Sequence, residues 1–234
     1  MTTGRAPIVL QARMGSFRLP GKVLADVAGK PMVEWCLARL AAAGVGPVIL
    51  ATTTQPEDDA LERIAARLGV KTVRGPAEDV LQRFAMVADY LDARFFIRAT
   101  ADNPAVDIEA PARVIAVIEA TGADHVVEAG LPVGAAVEAV RTSALYQALA
   151  QSRDAYDHEH VTPYLYRNPA RFLALRPEAP PDRRRPDLRL TVDTTRDLEF
   201  VRRVFERVPE GGMAPLAHII RAADGVARNA QVTA

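Results

Sequence analysis

The chain has 234 residues, enough for one large domain or two small ones with a sizeable core. Its 29 Lys and Arg balance its 29 Asp and Glu, which argues against nucleic-acid binding and against a polybasic membrane contact. Cys36 is the only cysteine, so an internal disulfide and a cysteine-based zinc cluster are excluded. Neither a signal peptide nor a long uncharged apolar stretch stands out, so we expect a cytoplasmic protein whose partners are small molecules.

Short β-like runs alternate with helical patterns up to about residue 130, which is typical of parallel βαβ units. The predicted strands are IVLQA (8–12), PVILAT (47–52), KTV (71–73), RFFIRAT (94–100) and DHVVEA (124–129). Apolar residues at helical spacing predict four intervening helices, with inward faces that include Val33, Cys36, Leu37 and Leu40; Leu61, Ile64, Ala65 and Leu68; Val80, Leu81, Phe84, Val87, Ala88 and Leu91; and Val114, Ile115, Val117 and Ile118. This order predicts an α/β protein with a mostly parallel, doubly wound sheet and helices on both faces.

The pattern is less regular after residue 130. GLPVGAAVEAV (130–140) and LRLTVD (188–193) predict strands, and the Pro- and Arg-rich segment 176–187 predicts a loop. Helices are predicted over TSALYQALA (142–150), over HEHVTPYLYR (158–167) with an interruption near Pro163, and over 194–208. Thr194 and Asp197 form a capping signature at the start of the last helix. No linker is clean enough to divide the chain, so one domain over 1–234 is expected.

The stretch QARMGSFRLPGK (11–22) places three cations and two glycines directly after the first predicted strand. A glycine-containing loop between a strand and a helix directs backbone amides at an anion. The Walker A motif fails here, because five residues separate Gly15 from Gly21 and Val23 follows Lys22. The dinucleotide fingerprint fails as well. Three cations, Arg13, Arg18 and Lys22, suit a highly charged group such as a triphosphate, and Lys22 is expected to face solvent.

Two aspartates follow predicted strands, where ligands of doubly wound sheets bind. Asp102 comes just after RFFIRAT, and Asp193 ends LRLTV. Magnesium is commonly held by one or two carboxylates together with phosphate oxygens, so this pair is a candidate Mg²⁺ site. The spacing leaves open a purely structural role, since Asp102 begins a turn-prone Asp-Asn-Pro and Asp193 could cap the following helix.

Five motifs together resemble the spore-coat-polysaccharide type of cytidylyltransferase, which is related to the acylneuraminate and deoxy-octulosonate enzymes. They are QARMGSFRLPGKVL, RGPAEDVLQRF, RATADNP, EHVTPYLY and LTVDTTRDLE, and the resemblance runs from residue 8 to about 206. It implies a Rossmann-like nucleotide-diphosphosugar transferase fold and Mg²⁺-dependent transfer of CMP from CTP to a sugar acid, with release of pyrophosphate. The family often forms homodimers, so the resemblance implies a possible homodimer, with its subunit contact expected in 130–190.

The resemblance also implies roles for individual residues. Catalytic roles at the CTP phosphates fall to Arg13 and Lys22, and metal binding falls to Asp102 and Asp193. The expected nucleotide-binding residues are Gln11, Ala12, Gly15, Ser16, Arg18, Glu78, Asp79 and Thr100. The expected acceptor-binding residues are Glu138, Glu159, His160 and Arg189. Nucleotide binding is thereby expected in about 1–128, acceptor binding and oligomerisation in about 129–190, and a closing strand and helices in 187–225.

The chain departs from the family pattern at two places. Phe17 stands where a small hydroxyl residue is usual, and LPVGAAVEAV lacks an acidic residue before Gly134 and carries Ala135 and Ala136 instead of bulkier or acidic residues. The second departure leaves the acceptor open. Two alternatives therefore remain: a nucleotidyltransferase or glycosyltransferase with another nucleotide donor, and a regulatory nucleotide-binding protein without turnover. His160 is a candidate general base because histidine titrates near neutral pH, although a structural role is the more common one.

Overall fold

The computed structural model describes residues 6–208 and 211–232, and its strands and helices follow the predicted alternation. The strands are β1 (Ile8–Gln11), β2 (Asp26–Val27), β3 (Lys30–Pro31), β4 (Val48–Thr53), β5 (Lys71–Gly75), β6 (Phe95–Thr100), β7 (His125–Val127), β8 (Glu138–Arg141) and β9 (Ala174–Leu175). The α-helices are α1 (Met32–Ala42), α2 (Asp59–Arg67), α3 (Val80–Leu91), α4 (Ala110–Thr121), α5 (Thr142–Gln151), α6 (Ala155–His160), α7 (Pro163–Arg167), α8 (Thr195–Glu206) and α9 (Leu216–Val232).

Seven of these strands form one sheet in the order β5-β4-β1-β6-β8-β7-β9, and β2 and β3 form a separate antiparallel hairpin. β1 is parallel to both of its neighbours, β4 and β6, whereas β8 is antiparallel to β6 and β7. In register, Gln11 of β1 lies opposite Thr100 of β6. Both strands therefore end at the same edge of the sheet. The stretch 11–22, which we call the basic loop, follows β1 there, and Asp102 follows β6. The predicted α/β class and mostly parallel sheet are confirmed.

Helices cover both faces of the sheet, because neighbouring residues of a strand point to opposite sides. Ile8 and Leu10 pack into one buried cluster with residues of α1, α2, α4, α8 and α9. Val9 packs into a second cluster with α3, α5 and α7.

Cys36 is fully buried on α1, and burial raises the pKa of its thiol, so packing rather than nucleophilic chemistry is its role. Within the described residues, no helix is long and apolar enough to cross a membrane.

Two predicted strands differ from the structure. GLPVGAAVEAV is a strand only from Glu138 onward, because Gly130 and Gly134 have positive φ angles and turn the chain before it. LRLTVD is not a strand: within it the structure forms a single parallel bridge, between Arg189 and Val133. The segment is held instead by individual hydrogen bonds, including Val192 N to Asp102 O at 2.8 Å. That bond places Asp193 beside Asp102 without sheet pairing.

Gly134 allows the turn 130–137 to approach this segment closely. Its φ is +96°, and a Cβ at this position would lie 2.5 Å from the backbone nitrogen of Thr191. Thr191 N and Leu190 N both donate to the carbonyl of Val133, at 3.0 Å and 2.8 Å. Only glycine fits such an approach at this backbone conformation.

We expect Gly134→Ala to lower the free energy of unfolding by about 2–4 kcal/mol, since it adds both strain and a backbone clash. Urea denaturation would measure the change. Gly225→Ala on α9 is the matched control, because a Cβ there meets nothing within 4 Å. It should be neutral or stabilise the protein by up to about 1 kcal/mol. Equal stability of the two variants would contradict the close-approach argument.

Candidate active site

A cavity of about 350 Å³ lies at the edge where β1 and β6 end, and we call it the first cavity. Most of the predicted site residues line it: Gln11, Ala12, Arg13, Gly15, Ser16, Arg18, Lys22, Thr100, Asp102, Glu159, His160 and Asp193. Phe17, whose side chain is fully exposed, lines its mouth. Residues up to 182 positions apart in the chain, Gln11 and Asp193, thus meet in one place, although their roles stay predictions.

Lys22 is not the solvent-facing cation that the sequence predicted. Its side chain is only 11% exposed, and its ammonium group lies between the two predicted metal ligands. Nζ donates to Asp102 Oδ2 at 3.2 Å, to Asp193 Oδ1 at 3.0 Å and to the carbonyl of Val192 at 2.7 Å. The physical reason is that two converging carboxylates left without a cation would repel each other.

Asp193 is the most heavily paired carboxylate of the first cavity. Besides Lys22, it contacts Arg18 at 2.7 Å and Arg189 at 2.6 Å. Burial alone raises the pKa of Asp193, but hydrogen bonds and charge from Lys22, Arg189 and Arg18 outweigh it and lower the pKa. Asp193 is therefore an anion at neutral pH. Arg189, predicted to bind acceptor, donates to Asp193 and Asp197 and is not part of the wall of the first cavity.

The capping of α8 fixes the backbone that carries Asp193. Thr194 and Asp197 form the predicted capping box, and Asp197 also accepts a hydrogen bond from the backbone nitrogen of Asp193 at 3.0 Å. Burial alone raises the pKa of Asp197, but the bond from Arg189 and those from the backbone lower it to about 2. The cap of the helix is thus Asp197 with Thr194, which leaves the carboxylate of Asp193 directed at the cavity.

Asp102 is oriented by its own strand. Thr100 Oγ1 donates to Asp102 Oδ1 at 2.6 Å and accepts from Asn103 Nδ2 at 2.7 Å. The other oxygen, Oδ2, faces Lys22. Carboxylate oxygens of Asp102 and Asp193 and a backbone carbonyl therefore surround one cationic atom. Such a set of hard oxygen donors fits Mg²⁺, which needs further oxygens from water and phosphate to complete its coordination.

The basic loop is supported from the other side of the cavity. Arg13 donates to Glu159 of α6 at 2.9 Å and to the carbonyl of Ala77 at 3.2 Å. Met14 N donates to Asp58 Oδ1 at 2.7 Å, and Asp58 is almost completely buried. Asp58 has no sequence signal of this role, since a buried aspartate near a helix start has the same local pattern as an exposed capping residue.

Glu78 and Asp79 are not among the residues that line the first cavity. The side chain of Asp79 caps α3 by accepting from Gln82 N at 2.8 Å, and its other oxygen contacts His158 Nδ1 at 2.8 Å. Glu78 is exposed. These two residues, predicted to bind nucleotide, are therefore not part of the wall of the first cavity.

Two arginines that the sequence analysis did not single out line the first cavity. Arg83 is buried on α3, and its side chain donates to the carbonyl of Ala77 at 3.1 Å. Arg98 on β6 lies opposite Glu138 of β8 in register and forms an ion pair with it. No local signal could have found them, because a cation in a strand or a helix is usually solvated.

A second cavity of about 670 Å³ adjoins the first and shares Arg98 and His160 with it. Glu138, predicted to bind acceptor, lies in its wall with His125, and the remaining wall is largely aromatic or apolar and includes Tyr156, Pro163, Tyr166, Phe172 and Leu173. Ala135 and Ala136 line neither cavity. Ala135 is fully buried in the larger core cluster, and Ala136 packs against that cluster.

The charge of Glu138 depends on its two partners. Burial alone raises its pKa, but the charge of Arg98 and the bond to His125 Nε2 at 2.8 Å lower it to about 2. An unfolded glutamate has a pKa near 4.3. Ionised Glu138 therefore adds stability above about pH 5, and this stability is lost as the pH falls towards 2.

We expect Glu138→Gln to lower the free energy of unfolding by about 2–3 kcal/mol at pH 6. The difference from the wild type should become progressively smaller as the pH falls from about 5 to about 2. Urea denaturation over this pH range would measure the difference. Glu178→Gln serves as the control, since Glu178 is exposed and its contact with Arg184 is 3.7 Å long. A difference that stays constant with pH would contradict the lowered pKa.

The chain is similar to proteins of known family over most of its length. The family described as cytidylyltransferase matches residues 7–220. The spore coat polysaccharide biosynthesis protein SpsF of Bacillus subtilis is 32% identical over 86% of this chain and 87% of its own. A 3-deoxy-manno-octulosonate cytidylyltransferase of Rhodopseudomonas palustris is 32% identical over 88% of this chain and 99% of its own. The structure of a cytidylyltransferase from Leptospira borgpetersenii superposes with a TM-score of 0.87 at 26% identity, covering 97% of this chain and 96% of that one.

Proposed function

This chain belongs to the cytidylyltransferase family and is a nucleotidyltransferase, and from that premise we propose that it transfers CMP from CTP to a sugar acid or a related hydroxylated acceptor. Mg²⁺ is the proposed metal, and pyrophosphate is the proposed leaving group. The observation that carries the proposal is the convergence of Asp102, Asp193 and the basic loop in the first cavity, beside a second cavity. Phosphoryl transfer needs this combination of carboxylates and cations.

The first cavity is the proposed CTP site. Arg13, Arg18 and Lys22 supply positive charge for the triphosphate, and Arg83 and Arg98 add charge at its wall. Charge that develops on phosphate oxygens during transfer is stabilised by cations that are already in place. Asp102 and Asp193 would hold Mg²⁺, which polarises phosphate oxygens and makes a nearby hydroxyl more acidic. No covalent intermediate on the enzyme is required.

The second cavity is the proposed acceptor site. It opens beside the first at Arg98 and His160, so an acceptor hydroxyl held there reaches towards the α-phosphate. Aromatic rings of Tyr156 and Tyr166 offer flat faces to the carbon–hydrogen faces of a sugar. A carboxylate on the acceptor would find positive charge at Arg176, since Arg98 is already paired with Glu138. The relative from Rhodopseudomonas palustris is named for a sugar acid of this class.

The test is a calorimetric titration with CTP, UTP, ATP and GTP, each with and without Mg²⁺. We expect CTP to bind most tightly, with Mg²⁺ strengthening the binding. Pyrophosphate release would then be measured with a panel of sugar acids. Preference for another nucleotide would replace CTP as the donor. Tight CTP binding without product from any acceptor would favour the regulatory alternative over catalysis.

A further inference from the structure

The ammonium group of Lys22 has no donor left for a ligand. It carries three N–H bonds, and Asp102, Asp193 and the carbonyl of Val192 accept one each, at 3.2, 3.0 and 2.7 Å. The side chain is 11% exposed, so water does not compete strongly for these bonds. In this state Lys22 is bound to the carboxylates and is not directed at a phosphate.

The same carboxylates are the proposed metal ligands, so Lys22 and a divalent metal claim one position. A metal bound between Asp102 and Asp193 would meet the positive charge of Lys22 among their oxygens, and Arg18 and Arg189 add further positive charge at Asp193. Two positive charges bound by the same carboxylate oxygens repel each other strongly in a partly buried site. The metal can therefore be bound by both Asp102 and Asp193 only if the ammonium group of Lys22 moves away from them.

A triphosphate gives Lys22 a place to go. Its oxygens replace the carboxylates as acceptors for the ammonium group, and the long flexible side chain of lysine allows such a shift without movement of the backbone. Both positions lie in the first cavity, which Lys22, Asp102 and Asp193 line together. Exchange of partners keeps every charge paired: the metal takes the carboxylates and Lys22 takes phosphate.

We propose that Lys22 is a placeholder cation that occupies the metal position of the free enzyme and hands it over when nucleotide and metal arrive together. The inference rests on the proposed function for the identity of the metal and nucleotide. It predicts weak binding of divalent metal to the free enzyme and strong positive coupling between metal and nucleotide. Because coupling is reciprocal, metal strengthens nucleotide binding by the same factor.

The experiment is a titration of the full-length enzyme with Mn²⁺, followed by the electron paramagnetic resonance of the free ion, in the absence of nucleotide. We expect Lys22→Met to bind Mn²⁺ at least about tenfold more tightly than the wild type, because the competing cation is gone while the side-chain length is kept. Structural damage would weaken metal binding, so tighter binding is a signature of the placeholder. Equal or weaker binding by a folded variant would overturn the proposal.

Two controls separate this effect from charge and from misfolding. Lys71→Met removes the charge of an exposed lysine at the start of β5, outside the first cavity, and should bind Mn²⁺ as the wild type does. Lys22→Gln is a second variant that keeps a hydrogen-bond donor for the carboxylates. If neither Lys22 variant folds, the ¹⁵Nζ resonance of Lys22 in the wild type decides. It must shift when CTP and Mg²⁺ are added together, and an unchanged resonance in a protein that calorimetry shows to bind CTP would overturn the proposal.

The titration without nucleotide also separates this inference from the proposed function. A protein that fails to bind CTP yet shows tighter Mn²⁺ binding in Lys22→Met would lose its proposed donor and keep its placeholder. If the wild type turns over CTP normally but Lys22→Met binds Mn²⁺ no more tightly than the wild type, the proposed function stands and the placeholder role is wrong.

Discussion

Asp193→Asn is expected to lower turnover by about a hundredfold or more and to raise the Mg²⁺ concentration needed for half-maximal rate. Asparagine keeps the size of the side chain but removes the negative charge that a hard cation requires. Asp193 also pairs with Lys22, Arg18 and Arg189, and two of these cations, Lys22 and Arg18, are expected to contact phosphate. Asp102→Asn should act in the same direction, since Asp102 is the second carboxylate on Lys22.

The measurement is pyrophosphate release at saturating CTP over a series of Mg²⁺ concentrations, together with thermal unfolding of each variant. Asp187→Asn is the matched control: Asp187 is an exposed carboxylate paired with Arg185 at 2.9 Å, and it does not line the first cavity. It should keep the wild-type rate. Normal turnover of both cavity variants, with an unchanged Mg²⁺ response, would show that the two carboxylates do not bind the metal.

Much of the fold could be predicted because local pattern and burial agree. Val33, Cys36, Leu37 and Leu40 have the spacing of a helix face, and all four are buried on α1. The same reasoning predicts a strand for the segment LRLTVD, because its apolar residues alternate, but only one bridge forms there. Alternation reports which side chains are buried; it does not report whether a neighbouring strand supplies hydrogen bonds.

The candidate site also has a part that the sequence predicts and a part that it does not. The positions of Asp102 and of the basic loop follow from the ends of predicted parallel strands, and β1 and β6 do end at one edge. The pairing of Lys22 with Asp193 joins residues 171 positions apart, and no local pattern contains it. Which charged side chains pair depends on how the whole chain folds. The sequence therefore predicted residues that meet in the first cavity, but not which of them form ion pairs with one another.

Arg39 is the buried cation for which the largest effect on stability is expected. It is fully buried on α1, and its guanidinium donates to the carbonyls of Val106, Gly212 and Ala214, at 2.7 Å for Val106 and 2.8 Å for Ala214. Burial lowers its pKa to about 10 in spite of the charge of Asp107, so it is still a cation at pH 7. It thereby joins α1, the chain that follows Asp102 and the segment between α8 and α9.

We expect Arg39→Met to lower the free energy of unfolding by about 2–4 kcal/mol. Each of the three carbonyls left without a donor costs about 1–3 kcal/mol, and the loss of a costly buried charge offsets part of that sum. Urea denaturation at pH 7 would measure it. Arg67→Met is the control, because Arg67 is 63% exposed and pairs only with Glu34 among the described ion pairs, so a change within about 0.5 kcal/mol is expected.

The same substitution tests whether stability and the site are linked through Arg39. Val106 lies four residues after Asp102, so loss of the Arg39 bond frees the chain that positions this carboxylate. A variant that is destabilised but folded at 25 °C should therefore also need more Mg²⁺ for half-maximal rate. If stability falls while the Mg²⁺ response stays at the wild-type value, the contacts of Asp102 with Thr100, Lys22 and Val192 are sufficient to position it, and Arg39 acts only on the packing of α1.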